Sequence, residues 1–166
     1  MKLGYLVLLA LGSLSCINST SNQFTGSFIA LDDGIQDTLK IKKSQKQWRE
    51  ILDEKSFYVL RQKGTERAFT GKYWNNNRKG TYLCKGCATP LFKSETKFKS
   101  GTGWPSFFDK IGSNVAVVKD YSLSMVRDEV VCNLCDGHLG HVFNDGPRPT
   151  GLRYCVNSAA LNFKGE

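Results

Sequence analysis

The chain has 166 residues, 40% of them hydrophobic and 23% charged, with a formal net charge of +8. That length makes one domain of ordinary size, with a core that does not depend on disulfides. The basic residues are scattered, the densest short run being Lys40-Ile41-Lys42-Lys43. Interspersed lysines solvate a surface rather than track a phosphate backbone, so no nucleic-acid partner is expected.

In chain order, Met1-Lys2 gives a short positive start and residues 3–11 are almost continuously apolar. That stretch is too short to span a bilayer comfortably and has the shape of a secretion signal, so residues 1–15 are read as a signal peptide. Cys16 directly follows and resembles the lipid-modified first residue of a mature bacterial lipoprotein. Ser13 and Leu14 depart from the aliphatic-then-small pattern usual there, and ordinary cleavage near Ser15 is the alternative. Residues 16–45, rich in Ser, Thr, Asn and Gln at their start, read as a polar tether. Residues 46–166 form the domain. The expected setting is the bacterial cell envelope, after export, with a lipid anchor at Cys16 holding a monomer to a membrane.

Helices come first. Residues 45–53 carry Trp48, Ile51 and Leu52 at helical spacing. Asp53 can cap a second helix over 54–61, and Gly64 is a natural stop. Beyond Phe69 the pattern changes to short β segments broken by Gly, Asn and Pro. Strands are predicted at 80–84, 114–119, 124–132 and 153–161. No βαβ alternation appears. The fold class is mainly β and antiparallel, with a short helical N-terminal wrap.

Cys84-Lys85-Gly86-Cys87 and Cys132-Asn133-Leu134-Cys135 are two CxxC pairs. Two such turns brought together supply the four thiolates of a tetrahedral zinc. Four sulfurs leave no open position for a substrate, so the expected zinc is structural. Two disulfides are the alternative, favoured by the secretion signal.

Between the pairs, Gly101-Thr102-Gly103-Trp104-Pro105-Ser106-Phe107 reads as a rigid loop in which Trp104 could wall a small apolar group such as a methyl. A core tryptophan beside a turn is the simpler alternative. Past the second pair come His138 and His141, the only histidines in the chain, and the acid Asp145. Histidine can give or take a proton near neutral pH. Cys155 has no CxxC partner. On a strand, Arg153, Cys155 and Asn157 would share one face, with Tyr154 and Val156 behind. A cation beside a thiol favours the thiolate, which is the nucleophile. A buried core cysteine is the alternative.

Taken together, the Gly101–Phe107 loop, His138-Leu139-Gly140-His141-Val142-Phe143 and Arg153-Tyr154-Cys155-Val156-Asn157-Ser158 resemble the B-type methionine sulfoxide reductases. Residues 57–67, Phe69-Thr70-Gly71 and both CxxC pairs resemble them too, so the likeness runs from about residue 47 to 161. The resemblance implies two small antiparallel sheets, with the zinc of Cys84, Cys87, Cys132 and Cys135 on the side away from catalysis. It implies reduction of the R epimer of methionine sulfoxide, free or in proteins, to methionine, as in repair of oxidised proteins. In that chemistry Cys155 attacks the sulfoxide sulfur and is left as a sulfenic acid, which thiols can reverse. His141 is the proton donor with His138 beside it, and Asn157 holds the polar sulfoxide end. Arg153 and Asp145 set the electrostatics, and Trp104 cages the methyl group.

One departure concerns recycling. Many members carry a resolving cysteine where this chain has Thr102. Direct reduction by a thioredoxin-like or other external thiol is therefore expected, with an unlipidated Cys16 as the alternative resolver. Two other classes compete. A Cys/His/Asn peptidase is one, and a lipid-anchored zinc adaptor without catalysis is the other.

Overall fold

The computed structural model describes residues 40–122 and 125–166. The signal segment, Cys16 and residues 17–39 of the tether lie outside the described residues. The tether read as far as residue 45 gives way to the domain earlier. The Ile41 N–H donates to the Leu134 carbonyl at 2.7 Å, and Lys40 Nζ pairs with Asp136 at 2.8 Å. Residues 40–44 are therefore docked against the domain.

Helix α1, Gln45–Ile51, starts at a reciprocal cap. The Ser44 hydroxyl accepts from the Gln47 N–H, and the Gln47 side chain accepts from the Ser44 N–H. This satisfies two of the donors a helix start leaves orphaned. Its one buried side chain is Trp48, with the Arg61 guanidinium 4.8 Å from the ring centre. Helix α2, Glu54–Gln62, is capped by Asp53, as the sequence predicts. A hydrogen bond from Lys85, then one from the Ser56 N–H, holds the Asp53 carboxyl down at about 2. Helix α2 buries Phe57, Val59 and Leu60 and ends at Lys63 in the left-handed region. A Cβ at Gly64 would meet the Tyr58 ring at 2.1 Å, so a side chain there would displace that ring.

Nine strands follow among the described residues. They are β1 Gly80–Cys84, β2 Pro90–Lys93, β3 Lys97–Phe98, β4 Ser106–Phe107, β5 Val115–Asp120, β6 Arg127–Cys132, β7 His138–Phe143, β8 Arg153–Val156 and β9 Leu161–Gly165. They make two sheets, ordered β2-β1-β9 and β3-β4-β8-β7-β6-β5, with every pairing antiparallel. The mainly β class and the two sheets are as expected. The core is aromatic. Phe92 stacks on Phe107 at 4.4 Å between centroids, and Tyr82 meets Phe107 edge-on at 4.9 Å. Each of these fully buried rings contributes roughly 1.5–3 kcal/mol of apolar burial.

The segment 153–161, predicted as one strand, is two. Strand β8 stops at Val156, a 3-10 turn occupies Ser158–Ala160, and β9 joins the other sheet. Buried Glu66 causes the break: its carboxylate accepts from the Ser158 and Ala159 N–H groups, which would otherwise continue the ladder. Strand β7 has a bulge. Val130 pairs with Gly140 and Val131 with His138, leaving Leu139 extra. Residues three apart on a regular strand point to opposite faces. The extra residue shifts the phase by one, and the two histidine rings come to 5.5 Å of each other.

Candidate active site

One polar row crosses a face of the larger sheet. Ser106, Cys155, His141 and Glu129 stand opposite one another in turn on β4, β8, β7 and β6. Directly opposed residues have Cβ atoms about 4.5–5.5 Å apart, so the His141 ring and the Cys155 thiol are neighbours. Gly140 permits the close approach of β7 and β8, since a Cβ there would lie 2.0 Å from the Cys155 carbonyl oxygen. A cavity of about 200 Å³ opens over this face, lined by Thr65, Trp104, Arg127, His141, Phe143 and Cys155, with Asn157 at its edge.

Cys155 is half-buried. Burial pushes its thiol above the ordinary value, while a hydrogen bond with Thr102 and the Arg153 charge pull the other way without overcoming it. Arg153 thus acts in the expected direction, favouring the thiolate, and desolvation is the larger effect. Thr102 Oγ1 lies 3.9 Å from Cys155 Sγ. The loop thus brings position 102 against the thiol, but with a hydroxyl that cannot form a disulfide.

His141 Nε2 donates to Asp120 Oδ2 at 3.0 Å. That bond sets which ring nitrogen carries the proton. The Ser122 backbone N–H, then His141 itself, hold the Asp120 carboxyl well below the carboxylate range. His138 is buried and does not line the cavity. Its Nδ1 donates to Glu129 at 2.8 Å, Glu129 in turn pairs with Lys63 at 2.7 Å, and Nε2 has no partner among the described residues. Burial lowers the His138 value, against the opposing pull of Glu129. The His138 ring stands behind His141, 5.5 Å away between centroids.

Arg153 forms a two-pronged bond to Asp145, at 2.8 and 2.9 Å, and its guanidinium lies 4.4 Å from the Phe143 ring centre. Asp145 is 63% exposed and acts on the site only through Arg153. Asn157 lies beyond the end of β8 and lines the cavity, its amide bonded through both heteroatoms. Its Oδ1 accepts from the Glu66 N–H and its Nδ2 donates to the Leu139 carbonyl, both at 3.0 Å. The amide therefore ties the cavity wall together. Trp104 is anchored by its indole N–H on the Glu66 carbonyl at 3.0 Å, which leaves its ring to wall the cavity.

Two residues beside the Cys155–His141 pair escaped the sequence reading, Arg127 in the cavity lining and Asp120 on the His141 ring. Asp120 and Arg127 face each other at the ends of β5 and β6, and Arg127 Nη2 donates to Asp120 Oδ2 at 2.7 Å. The signal was available: segments 114–119 and 124–132 read as one hairpin would have paired them.

The four CxxC cysteines converge, none in a disulfide. All four Sγ atoms lie within 4.8 Å of one another and could hold a metal ion. Strand β6 runs from Arg127 at the cavity to Cys132 in this cluster. Its five residue steps separate the two sites by roughly 17 Å.

This arrangement defines a class: a small two-sheet β domain with a four-cysteine centre at one end of a strand and a single unpaired thiol in a cavity at the other. The SelR domain family matches residues 52–165. The chain belongs to that family. It is 58% identical over 122 residues to the chloroplastic peptide methionine sulfoxide reductase B1 of Oryza sativa, covering 73% of this chain and 57% of that one. It is 55% identical over 127 residues to the peptide methionine sulfoxide reductase MsrB of Methanosarcina barkeri, 76% and 89% of the two chains. With the protein of the same name from Saccharophagus degradans the identity is 57% over 126 residues, 75% and 94% of the two chains. The match thus spans little more than half of the plant relative and most of the microbial ones.

Proposed function

We propose that this protein reduces the R epimer of methionine sulfoxide, protein-bound or free, to methionine, and so repairs oxidised proteins. The observation that carries the reading is the Cys155–His141 pair on the floor of a cavity walled by Trp104, in a SelR-family chain. The Cys155 sulfur attacks the sulfoxide sulfur and the S–O bond breaks. The thiol gives a thioether and a Cys155 sulfenic acid, with the thiol proton ending on the transferred oxygen. His141 relays that proton, and Asp120 holds its ring. Two equivalents of an external thiol then return the sulfenic acid to thiol, releasing water and a disulfide. Thr102 makes this external route the natural one. The R and S epimers of a peptide methionine sulfoxide, offered separately with dithiothreitol, test the reading. Turnover of R alone is expected; turnover of S alone, or of neither by folded protein, would sink it.

Asp120→Asn keeps the shape and removes the charge. It is expected to lower kcat roughly ten- to a hundredfold with KM nearly unchanged, as for a residue that positions a proton carrier. Steady-state kinetics check this, and a loss carried by KM alone would move Asp120 to binding.

The four-cysteine centre suits zinc. Four sulfurs about 2.3 Å from a central ion stand about 3.8 Å apart, and the contacts here are 3.7 Å for Cys84–Cys135 and 3.5 Å for Cys87–Cys132. Zinc there would be structural, tying the β1 end to the β6–β7 turn.

The N-terminal reading completes the proposal: an exported monomer, anchored by acylated Cys16 in a bacterial envelope, drawing on an envelope thiol. Intact-mass analysis should find Cys16 as the acylated first residue. An unmodified start elsewhere would reject the anchor.

A further inference from the structure

Beside the catalytic cavity lies a second one of about 240 Å³ walled by Phe69, Trp74, Phe98 and the far side of Trp104. Next to that lies a cleft of about 390 Å³ lined by Arg78, Lys79, Lys97 and Lys99, with Glu95 the one acid. The three are neighbours that share walls. Trp104 borders both the catalytic cavity and the aromatic trough. Phe98 and Lys99 border both the trough and the basic cleft.

The trough holds apolar surface in solvent. Phe69 is 56% and Trp74 38% exposed, set edge to face at 5.5 Å. Phe69 has a φ of 66°, a conformation that costs a bulky residue energy. The loop keeps it there through the Phe69 N–H bond to the Gly103 carbonyl at 2.8 Å. Core packing does not require that ring, since it faces water. Lys97 Nζ donates to the Trp74 carbonyl at 3.1 Å and ties trough to cleft. Among the described residues, none of the four cations has an ion-pair partner. Burial, then the neighbouring Lys99 charge, lowers the Lys97 value, as expected of a cleft short of negative charge.

We propose that trough and cleft form an extended polypeptide subsite. It takes a segment of the oxidised protein with an apolar or aromatic side chain near the sulfoxide and carboxylates further along. This rests on the sulfoxide-reductase reading and adds the substrate class to it. The shared Trp104 wall sets the trough beside the catalytic cavity, which favours a polypeptide carrying the reacting side chain over a nucleic acid, the other polymer that suits aromatics beside cations.

The test uses the full chain with dithiothreitol and compares kcat/KM for three kinds of substrate. They are N-acetylmethionine R-sulfoxide, peptides with Phe beside the sulfoxide and Glu at graded distances on either side, and the same peptides with Lys for Glu. The best Glu peptide is expected to exceed its Lys counterpart about tenfold at low salt, and less at high salt. K79E/K99E, two exposed positions, should remove that advantage, and Trp74→Ala should remove the preference for Phe. Equal rates for Glu and Lys peptides, or an advantage that survives K79E/K99E, would overturn the proposal. So would inhibition by a single-stranded oligonucleotide without any peptide preference. If folded protein reduces none of these R-sulfoxide substrates, the reductase reading fails instead. The subsite is then decided by binding of the unoxidised Glu and Lys peptides, read by tryptophan fluorescence.

Discussion

Cys155→Ser is expected to abolish reduction of the R-sulfoxide, with a loss on the order of a thousandfold or more in kcat. The hydroxyl fits where the thiol sits, on a half-buried strand position, so the fold should survive. A serine oxygen is a far poorer nucleophile toward sulfur and has no sulfenic state to pass through. The same experiment has a chemical readout. Wild-type protein turned over once without reductant should carry one sulfenic acid at Cys155, trapped by a 1,3-diketone and located by mass spectrometry. The neighbour at 3.9 Å is the Thr102 hydroxyl, which leaves that sulfenic acid without a partner in the loop. Residual activity within tenfold of wild type would remove Cys155 from the mechanism. A Cys155–Cys16 disulfide would replace direct reduction with a tethered resolver.

The second large effect is on stability. Cys84 and Cys132 are fully buried and stand at the ends of β1 and β6, in different sheets. An ion bound there would join those sheets, and its binding free energy would be folding free energy, about 10–16 kcal/mol for structural zinc in small peptides. A domain's whole stability is about 5–15 kcal/mol. Cys132→Ser, or chelation of the metal, is therefore expected to lower Tm by on the order of 10–20 °C or to prevent folding. Metal analysis should give one zinc per chain in the wild type and little in the variant. A zinc-free wild type that melts like the variant would remove the metal from the account. In that case the thiols, 3.5 to 3.7 Å apart in their closest pairs, would be simple core contacts.

Much of this was legible along the chain because it depends on local chemistry. Asp53 announces a helix start, its cap being a bond between residues three apart. The CxxC turns carry their own ligand geometry, and the family motifs pick out Cys155, His141 and Trp104 together. What lay outside local chemistry was read less well. A regular strand would put His138 and His141 on opposite faces; one extra residue, Leu139, reverses that, and it shows only in the pairing of β7 with β6. Asn157 keeps its place at the cavity edge, but its amide is committed to Glu66 and Leu139. The strand predicted over 153–161 breaks because Glu66, far back in the chain, takes the N–H groups of Ser158 and Ala159.

By itself the sequence determined the β class, the Asp53 cap, the two CxxC pairs and the family. Those signals are borne by residue type and short spacing. The tertiary structure alone decided that Arg127 lines the cavity and Asp120 holds the His141 ring, that His138 stands behind His141, and that burial outweighs Arg153 at the Cys155 thiol. Each of those depends on cross-strand register and on solvent exclusion, which are set by residues distant in the chain.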